Sequence, residues 1–454
     1  MPFSVVILAA GEGTRMRSDL PKMLQPLAGR PLLEHVIEAA EAAGPDAVHV
    51  VYGFGGDTVR EALGDKDVRW VLQERQLGTG DAVAKALPDI PDDHIVVVLC
   101  GDVPLISPAT IKQLVESATS GQLTVLTTRV GDPVGYGRIV RNDSGSVRRI
   151  VEEADADTEI AQICEINTGL MAAPASLLAS WLSRVDSDNA QGEFYLTDVV
   201  EIAVESGLSV AGEICESEAE VLGVNDRRQL ADAEAALRAR NAAEVMESGV
   251  TLIDPARVDI RGKVTCGRDV IIDVNVVLEG DVTLGDRVHV GPNSVLRNAQ
   301  LGHDTVVLPN SLIESASAGE GCSIGPYGRL RPGACLADGA KVGNFVEIKN
   351  SHIGPGSKVS HLTYIGDAEV GQDVNIGAGT ITCNYDGANK HRTVIGDGVF
   401  VGSGVELVAP VEIGAGATIG AGSTISEEAP PGKLTVARSR QKTIDRWKPP
   451  VKKR

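Results

Sequence analysis

The chain has 454 residues, a length that suits two or three domains, each with its own core. Its formal net charge of −20 argues against duplex nucleic acid and anionic membrane surfaces as partners, since both need a basic face. Hydrophobic residues make up 43% and charged residues 23%, which is ordinary for a folded soluble protein.

The opening residues Met1 to Ala10 are apolar but lack a basic leader and run straight into a glycine-rich turn. They read as a buried first strand, Val5–Ala10, and not as a signal peptide. Apolar runs at Ala47–Tyr52 and Ile95–Cys100 read as further buried strands, with helices at Leu32–Ala43 and Ala109–Ala118. This alternation predicts an α/β domain with a Rossmann-like, mostly parallel sheet covered on both faces. Ligands of such sheets sit at the carboxyl ends of the strands, where the loops after Ala10 and Cys100 fall. No apolar run approaches the roughly 20 residues that span a bilayer.

From about Asp226 to Ser248 the chain is rich in Ala, Glu and Arg, and reads as one long helix ending before Gly249. The expected division is therefore 1–227, a linker helix 228–248, and 249–454. The second half is a repeat. Val258, Val264, Val270, Val276, Val282 and Val288 recur at intervals of six, and Val399, Val405, Val411, Ala417 and Ser423 resume the spacing. A period of six predicts a parallel β-helix with one aliphatic residue per hexapeptide filling the interior. The polar stretch Thr382–Arg392 breaks the spacing, and solenoids carry such insertions on a binding face. Seven cysteines, an odd number without a Cys-x-x-Cys pair, fit a reducing cytoplasm better than a disulfide framework.

The turn after the first strand reads Leu8-Ala9-Ala10-Gly11-Glu12-Gly13-Thr14-Arg15-Met16. Glycines there let backbone N–H groups approach a phosphate chain, and Arg15 adds a fixed positive fork. It is not a dinucleotide fingerprint, because Met16 stands where the third glycine belongs, and no Walker A Gly-Lys-Ser/Thr follows.

Together with Pro21-Lys22-Met23-Leu24, Gln73–Gly80, Cys100–Leu105, Tyr136–Ile139, Ile150–Glu153, Glu165–Gly169 and Gly223–Arg227, this turn resembles the motif series of the sugar-nucleotide pyrophosphorylases. Joined to hexapeptide repeats, the series resembles the bifunctional N-acetylglucosamine-1-phosphate uridyltransferase/glucosamine-1-phosphate acetyltransferase family over nearly the whole chain. The resemblance implies a left-handed β-helix and a homotrimer. It implies that UTP, N-acetylglucosamine 1-phosphate and Mg²⁺ meet at the first site, and that the product feeds peptidoglycan synthesis. Two polyanions must meet there, so charge neutralisation and in-line positioning are the main tasks. Asp102 is a hard oxygen ligand suited to Mg²⁺, and Asn225 matches the second metal-contacting position. Arg15 and Lys22 are the cations expected on the triphosphate. By the same resemblance Leu8, Ala9, Ala10, Gly11, Gln73, Gly78 and Thr79 hold the nucleotide, and Gly137, Glu152 and Asn167 contact the sugar. Two departures stand out: Gly80-Asp81 where the family often has Ala-His, and Ala154 where it often has Lys.

The second site resembles the acetyltransferase half of the family through Arg329–Gly333, Gly343–Asn350, His361–Asp367, Asn375–Thr380 and Thr382–Asn389. Moving acetyl from acetyl-CoA to the amine of glucosamine 1-phosphate requires removing a proton, and imidazole titrates near neutral pH, which suits His361 as general base. Glu347 is a candidate to orient it. Arg331 and Lys349 would grip the phosphate. Tyr364, Asn375, Asn384 and Tyr385 match sugar-contacting positions, and Ala378, Ser403, Ala421 and Arg438 match positions lining acetyl-CoA. The basic tail from Arg438 to Arg454 is expected to fold over the β-helix towards the CoA phosphates. Three other readings stay open: a scaffold-only solenoid, a zinc hydratase using His352, His361 and His391, and a non-catalytic assembly protein.

Overall fold

The first strand, β1 (Phe3–Ala9), sends alternate side chains into two different cores. Val5 and Ile7 pack with Leu33, Val36 and Ile37 of α1 (Leu32–Ala43), while Val6 packs with Val83 and Trp181 on the opposite face. A strand covered on both sides has no polar face to keep, hence its continuous apolar run. The computed structural model describes residues 1–454 except Glu12, Phe54, Ser144, Val451, Lys453 and Arg454. Glu12 of the glycine-rich turn, and Lys453 and Arg454 of the basic tail, therefore lie outside the described residues.

The further strands of this sheet are β2 (Ala47–Tyr52), β3 (Arg69–Leu72), β4 (Ile95–Cys100), β5 (Leu123–Arg129), β6 (Arg138–Arg141), β7 (Val147–Val151), β8 (Glu165–Pro174) and β9 (Val210–Ile214). Their spatial order is β3-β2-β1-β4-β8-β5-β9-β7-β6. The first four are parallel, as the sequence predicts. Beyond them the sheet is mixed, because β8 runs antiparallel to both β4 and β5. Among the described residues no α-helix lies between β5 and β8. A parallel return needs a crossover of a dozen or more residues, usually helical, whereas this stretch folds back as the β6–β7 hairpin.

The linker is a helix over Arg227–Glu247, capped at its start by Asp226, whose Oδ1 accepts the N–H groups of Arg228 and Gln229, both at 2.9 Å. The chain divides into two compact units, Met1–Leu237 and Arg238–Arg454.

In the second unit Val258 pairs in register with Val276, and Val264 with Val282, so three hexapeptides make one coil. Some later coils are a residue shorter, Val295 lying on Leu312. The parallel strands stack into sheets of 11 and 15 strands. Of the eleven positions in the six-residue series, ten are buried; Val264 is half-buried and packs against the same core. Ser423 is tolerated inside because its hydroxyl donates to the Gly420 carbonyl at 2.6 Å. At the polar insertion Ile376 pairs with Val401, and the extra residues form a loop bridged between Tyr385 and Lys390.

One corner carries left-handed residues coil after coil. Asn275, Asn293 and Asn310 occupy it first, and Tyr327, Phe345 and Leu362 later. The last rung of the β-helix is Leu434–Thr435. The tail departs from expectation: every described residue from Ser439 onward is exposed. Rich in charge and poor in apolar residues, that stretch has no face to bury against its own coil.

Candidate active sites

The first site lies at the carboxyl ends of β1 and β4. Gly13 has φ +64°, and a Cβ there would lie 2.4 Å from Lys22 Cβ, so only glycine lets the turn close over this lysine. Lys22 is buried. Its Nζ donates to Asp102 Oδ2 in a very short ion pair, and to Asn225 Oδ1 at 2.7 Å. Arg15 Nη2 reaches the same Asn225 oxygen at 3.0 Å. Asp102 follows β4, and its carbonyl accepts the Val224 N–H at 2.8 Å, which holds Asn225 opposite it. Four residues predicted from four motifs thus meet, Asp102 and Asn225 on the Lys22 ammonium and Arg15 on Asn225.

A cavity of about 700 Å³ opens beside them, lined by Leu8, Ala10, Gly11, Arg15, Lys22, Gln73, Gly78, Thr79, Asp102 and Asn225 among others. Ala9 does not line it: only 2% exposed, its side chain faces the core. Alternation along β1 makes this unavoidable, since Leu8 and Ala10 point the other way. Thr79 has a structural task, its hydroxyl accepting the Leu196 N–H at 3.0 Å. Gly78, at φ +120°, would set a Cβ 2.5 Å from the Phe194 carbonyl oxygen.

Gly137, Glu152 and Asn167 form a second group. The Asn167 N–H donates to Gly137 O at 2.8 Å, and a Cβ on Gly137 would lie 3.3 Å from Glu152 Oε2. Burial raises the Glu152 carboxyl above its ordinary range, a bond from the Thr197 hydroxyl at 3.1 Å opposing it. The Cys100 thiol donates to Gly169 O at 3.7 Å and so ties the Asn167–Gly169 turn to the end of β4. Burial pushes that thiol up to about 12, which keeps it a neutral packing group.

The second site follows the corners of the β-helix. Asn344 stacks below His361 in register, and Asn344 Oδ1 lies 2.6 Å from His361 Nδ1. The next coils carry the column upward. His361 O accepts from Gly379, Ala378 O from Gly404 and Ser403 O from Gly422, and Arg438 Nη1 donates to Ala421 O at 2.5 Å. His361, Ala378, Ser403, Ala421 and Arg438 therefore share one edge of the coil.

Across the two-residue turn after His361 lies Tyr364, and around it a charged ladder. Arg331 Nη1 donates to Glu347 Oε1 at 2.8 Å, Lys349 lies 3.8 Å from Asp367, and Asn384 Nδ2 donates to Asp367 Oδ2 at 2.5 Å and to the Tyr364 hydroxyl at 3.4 Å. Burial pushes the Asp367 carboxyl up, but the bonds from Asn350 and Asn384 and the charge of Lys349 outweigh it and hold it low. One expectation is corrected. Glu347 is held by Arg329 and Arg331, and the partner of the His361 ring is Asn344. Tyr385 is exposed, and its hydroxyl donates within its own loop to Gly387 O at 2.6 Å. Asn375 sits in register with Lys358, on the strand that ends at His361.

Sequence reasoning missed Lys390. It faces Lys349 from the insertion loop, and that like charge holds its ammonium below the usual lysine range. Two facing ammonium groups make a place for a dianion. Its position in a polar insertion was the available signal.

Among the described residues no group of three His, Cys, Asp or Glu is arranged to hold a metal. His361 and His391 are bound apart, His391 Nε2 lying 2.7 Å from Asp386 Oδ2, so the zinc-hydratase reading has no three-ligand site.

A nucleotide cavity at the strand ends of an α/β sheet, followed by a hexapeptide coil with a histidine edge, defines a nucleotidyltransferase joined to an acyltransferase. Residues 5–183 match the MobA-like NTP transferase domain, and residues 263–298 and 392–427 match the bacterial transferase hexapeptide. The chain is 57% identical to the bifunctional protein GlmU of Alkalilimnicola ehrlichii, over 98% of this chain and 96% of that one. It is 53% identical to that of Aromatoleum aromaticum and 54% to that of Pseudomonas putida, with 99% or more of each chain covered. The chain belongs to the bifunctional GlmU family, the uridyltransferase/acetyltransferase family that its motifs resemble, and carries both activities of UDP-N-acetylglucosamine synthesis.

Proposed function

We propose that the second unit acetylates glucosamine 1-phosphate and that the first converts the resulting N-acetylglucosamine 1-phosphate and UTP to UDP-N-acetylglucosamine and pyrophosphate. The observation that supports the residue roles is the convergence of distant motif residues into one cluster in each unit.

In the first unit Gln73, Gly78 and Thr79 hold the uracil, while Gly137, Glu152 and Asn167 hold the sugar. A phosphate oxygen of the sugar attacks the α-phosphorus of UTP, and pyrophosphate leaves. The attacking group is already an anion, so no general base is needed. Lys22 and Arg15 neutralise the approaching phosphates. Asp102 and Asn225 are the residues that would hold Mg²⁺. One carboxylate and one amide oxygen, already converging on a cation at Lys22 Nζ, suit an ion that takes few protein ligands beside phosphates and water. When bound, Mg²⁺ supplies charge neutralisation to the phosphates.

In the second unit Asn344 fixes the His361 ring. An amide oxygen only accepts, so Nδ1 carries the proton and the Nε2 lone pair is free. His361 takes a proton from the substrate amine, the amine nitrogen attacks the thioester carbon, and the CoA thiolate leaves. Arg331, Lys349 and Lys390 bind the sugar phosphate, Tyr364, Asn375 and Asn384 the sugar, and Ala378, Ser403, Ala421 and Arg438 line acetyl-CoA. This array of side chains favours catalysis over a scaffold role.

The enzyme is proposed to be a homotrimer in the cytoplasm. The exposed apolar corner Tyr327, Phe345 and Leu362 supports an interface between copies, and seven unpaired cysteines suit a reducing compartment. Among the described residues no helix is long and apolar enough to cross a membrane. The product would supply peptidoglycan synthesis.

A split assay tests the reading. Thiol release from acetyl-CoA with glucosamine 1-phosphate, and pyrophosphate release from UTP with N-acetylglucosamine 1-phosphate, are measured for wild type, His361→Ala and Asp102→Ala. Each substitution should abolish one activity and spare the other. Loss of both, or of neither, would overturn the assignment.

A further inference from the structure

Gln73 lies just beyond β3, only 3% exposed, with its N–H donating to Tyr52 O at 2.9 Å. Its side-chain Nε2 donates to Gly78 O at 3.1 Å and to Asp81 Oδ2 at 2.8 Å. A carbonyl and a carboxylate can only accept, so the sense of the amide is forced. Turned over, its oxygen would face two oxygens. Both amide hydrogens are thus used, and Oε1 is left with no protein partner among the described residues, on a side chain that lines the nucleotide cavity.

Asp81 sits in the first turn of α2 (Thr79–Ala86), its side chain mostly covered and 3.6 Å from Lys85. It is one of the two departures from the family pattern and has no role in the reaction described above.

We infer that Asp81 is a positioning residue that sets base selectivity at the uridyl-transfer site, by locking Gln73 so that the site offers the pyrimidine ring nitrogen an acceptor and never a donor. The inference rests on the nucleotide reading of this cavity. Uracil presents N3–H, which Oε1 accepts. Cytosine presents a lone pair at N3, which the same oxygen repels. Gly78 O engages only one of the amide hydrogens. The charge-assisted bond to the carboxylate makes the reversed amide costly. Without it, Gln73 forfeits a single neutral bond on turning over and can then donate to cytosine.

The test is kcat/KM for UTP and for CTP, by pyrophosphate release, on the full-length protein. Wild type is compared with Asp81→Ala, Asp81→Asn and Gln73→Ala, with thermal unfolding followed for each. Asp81→Ala should lower the UTP-to-CTP preference about tenfold, the scale of one charge-assisted hydrogen bond. Asp81→Asn, whose amide can turn over with Gln73 and donate to its reversed oxygen, should also lower the preference, though by less than Asp81→Ala. Asp81→Ser, which keeps a polar first helical turn, repeats the measurement should the alanine variant unfold. A merely structural role would move both nucleotides together. An unchanged preference in the Ala and Ser variants, with Gln73→Ala still impaired towards UTP, overturns the role of Asp81 and leaves the nucleotide site standing. If Gln73→Ala uses UTP as well as wild type does, the base does not sit at Gln73, and the nucleotide reading falls at that residue together with the inference.

Discussion

Asn344 Oδ1 holds His361 Nδ1 at 2.6 Å from one coil below, 17 residues earlier in the chain. In the proposed acetyl transfer this bond sets the tautomer and the ring plane, and leaves Nε2 for the substrate amine. Asn344→Leu keeps the branched shape and removes the acceptor. Its acetyltransferase kcat should fall about tenfold, the scale of one hydrogen bond felt in the transition state, with little change in KM for glucosamine 1-phosphate. Pyrophosphate release should match wild type. Steady-state kinetics of both reactions on the same preparation check this.

Gly13→Ala should disable only the first site. The left-handed backbone costs an alanine about 1–2 kcal/mol, and the new methyl lies 2.4 Å from Lys22 Cβ, a stem atom that cannot swing aside as a side-chain tip would. Relief pulls Lys22 away from Asp102 and Asn225. Pyrophosphate release should drop by more than about tenfold, as it would for loss of one preorganised cation. Thiol release from acetyl-CoA should stay at the wild-type rate.

What the sequence disclosed follows from how local each signal is. The six-residue period is a repeated local fact, so the interior valines were legible before any coil was drawn. The first strands and helices were legible for the same reason. The antiparallel insertion of Glu165–Pro174 was not, because strand order depends on which edge a returning chain finds, and no local pattern records that. Motif resemblance named Lys22, Asp102 and Asn225, but not that one ammonium bridges the two oxygens. Asn344 lay inside a quoted motif without a role. Its partnership needs the length of a coil, 17 or 18 residues, which the registers supply. The misassignment of Glu347 has the same source: it is a near neighbour of Lys349 in sequence, but the coil stacks it against Arg329 and Arg331.

Tyr327 and Phe345 stack with ring centroids 5.0 Å apart, are 50% and 56% exposed, and both hold φ of 55°. Aromatic residues seldom accept that backbone region, and asparagine fills the same corner lower down. An exposed apolar corner at that conformational cost is consistent with an interface between copies. On the homotrimer proposed above, the double substitution Tyr327→Asp with Phe345→Asp should convert trimer to monomer in sedimentation velocity. The uridyltransferase reaction should survive, because the residues proposed for it lie within Met1–Leu237. A trimer that persists at micromolar concentration would remove this corner from the interface.

Asp198 begins the helix Asp198–Glu205, and burial, followed by the neighbouring charges of Asp186, Glu152, Glu201 and Asp155, raises its carboxyl to about 6. The folded state thus binds this proton more tightly than the unfolded chain, whose aspartate titrates near 3.8. Stability linked to Asp198 is complete below about pH 4, declines as the pH rises to about 6, and stays low above that. The helix N-terminus favours the charged form and offsets only part of this loss. Asp198→Asn removes the charge without changing the shape. It should raise Tm at pH 7.5, by a smaller margin at pH 5, and by nothing measurable at pH 4 if the protein remains folded there. Differential scanning calorimetry across that range reads the effect. A gain that is the same at every pH would mean that the introduced amide stabilises by packing, and that the acidic neighbours do not press on Asp198 in the folded protein.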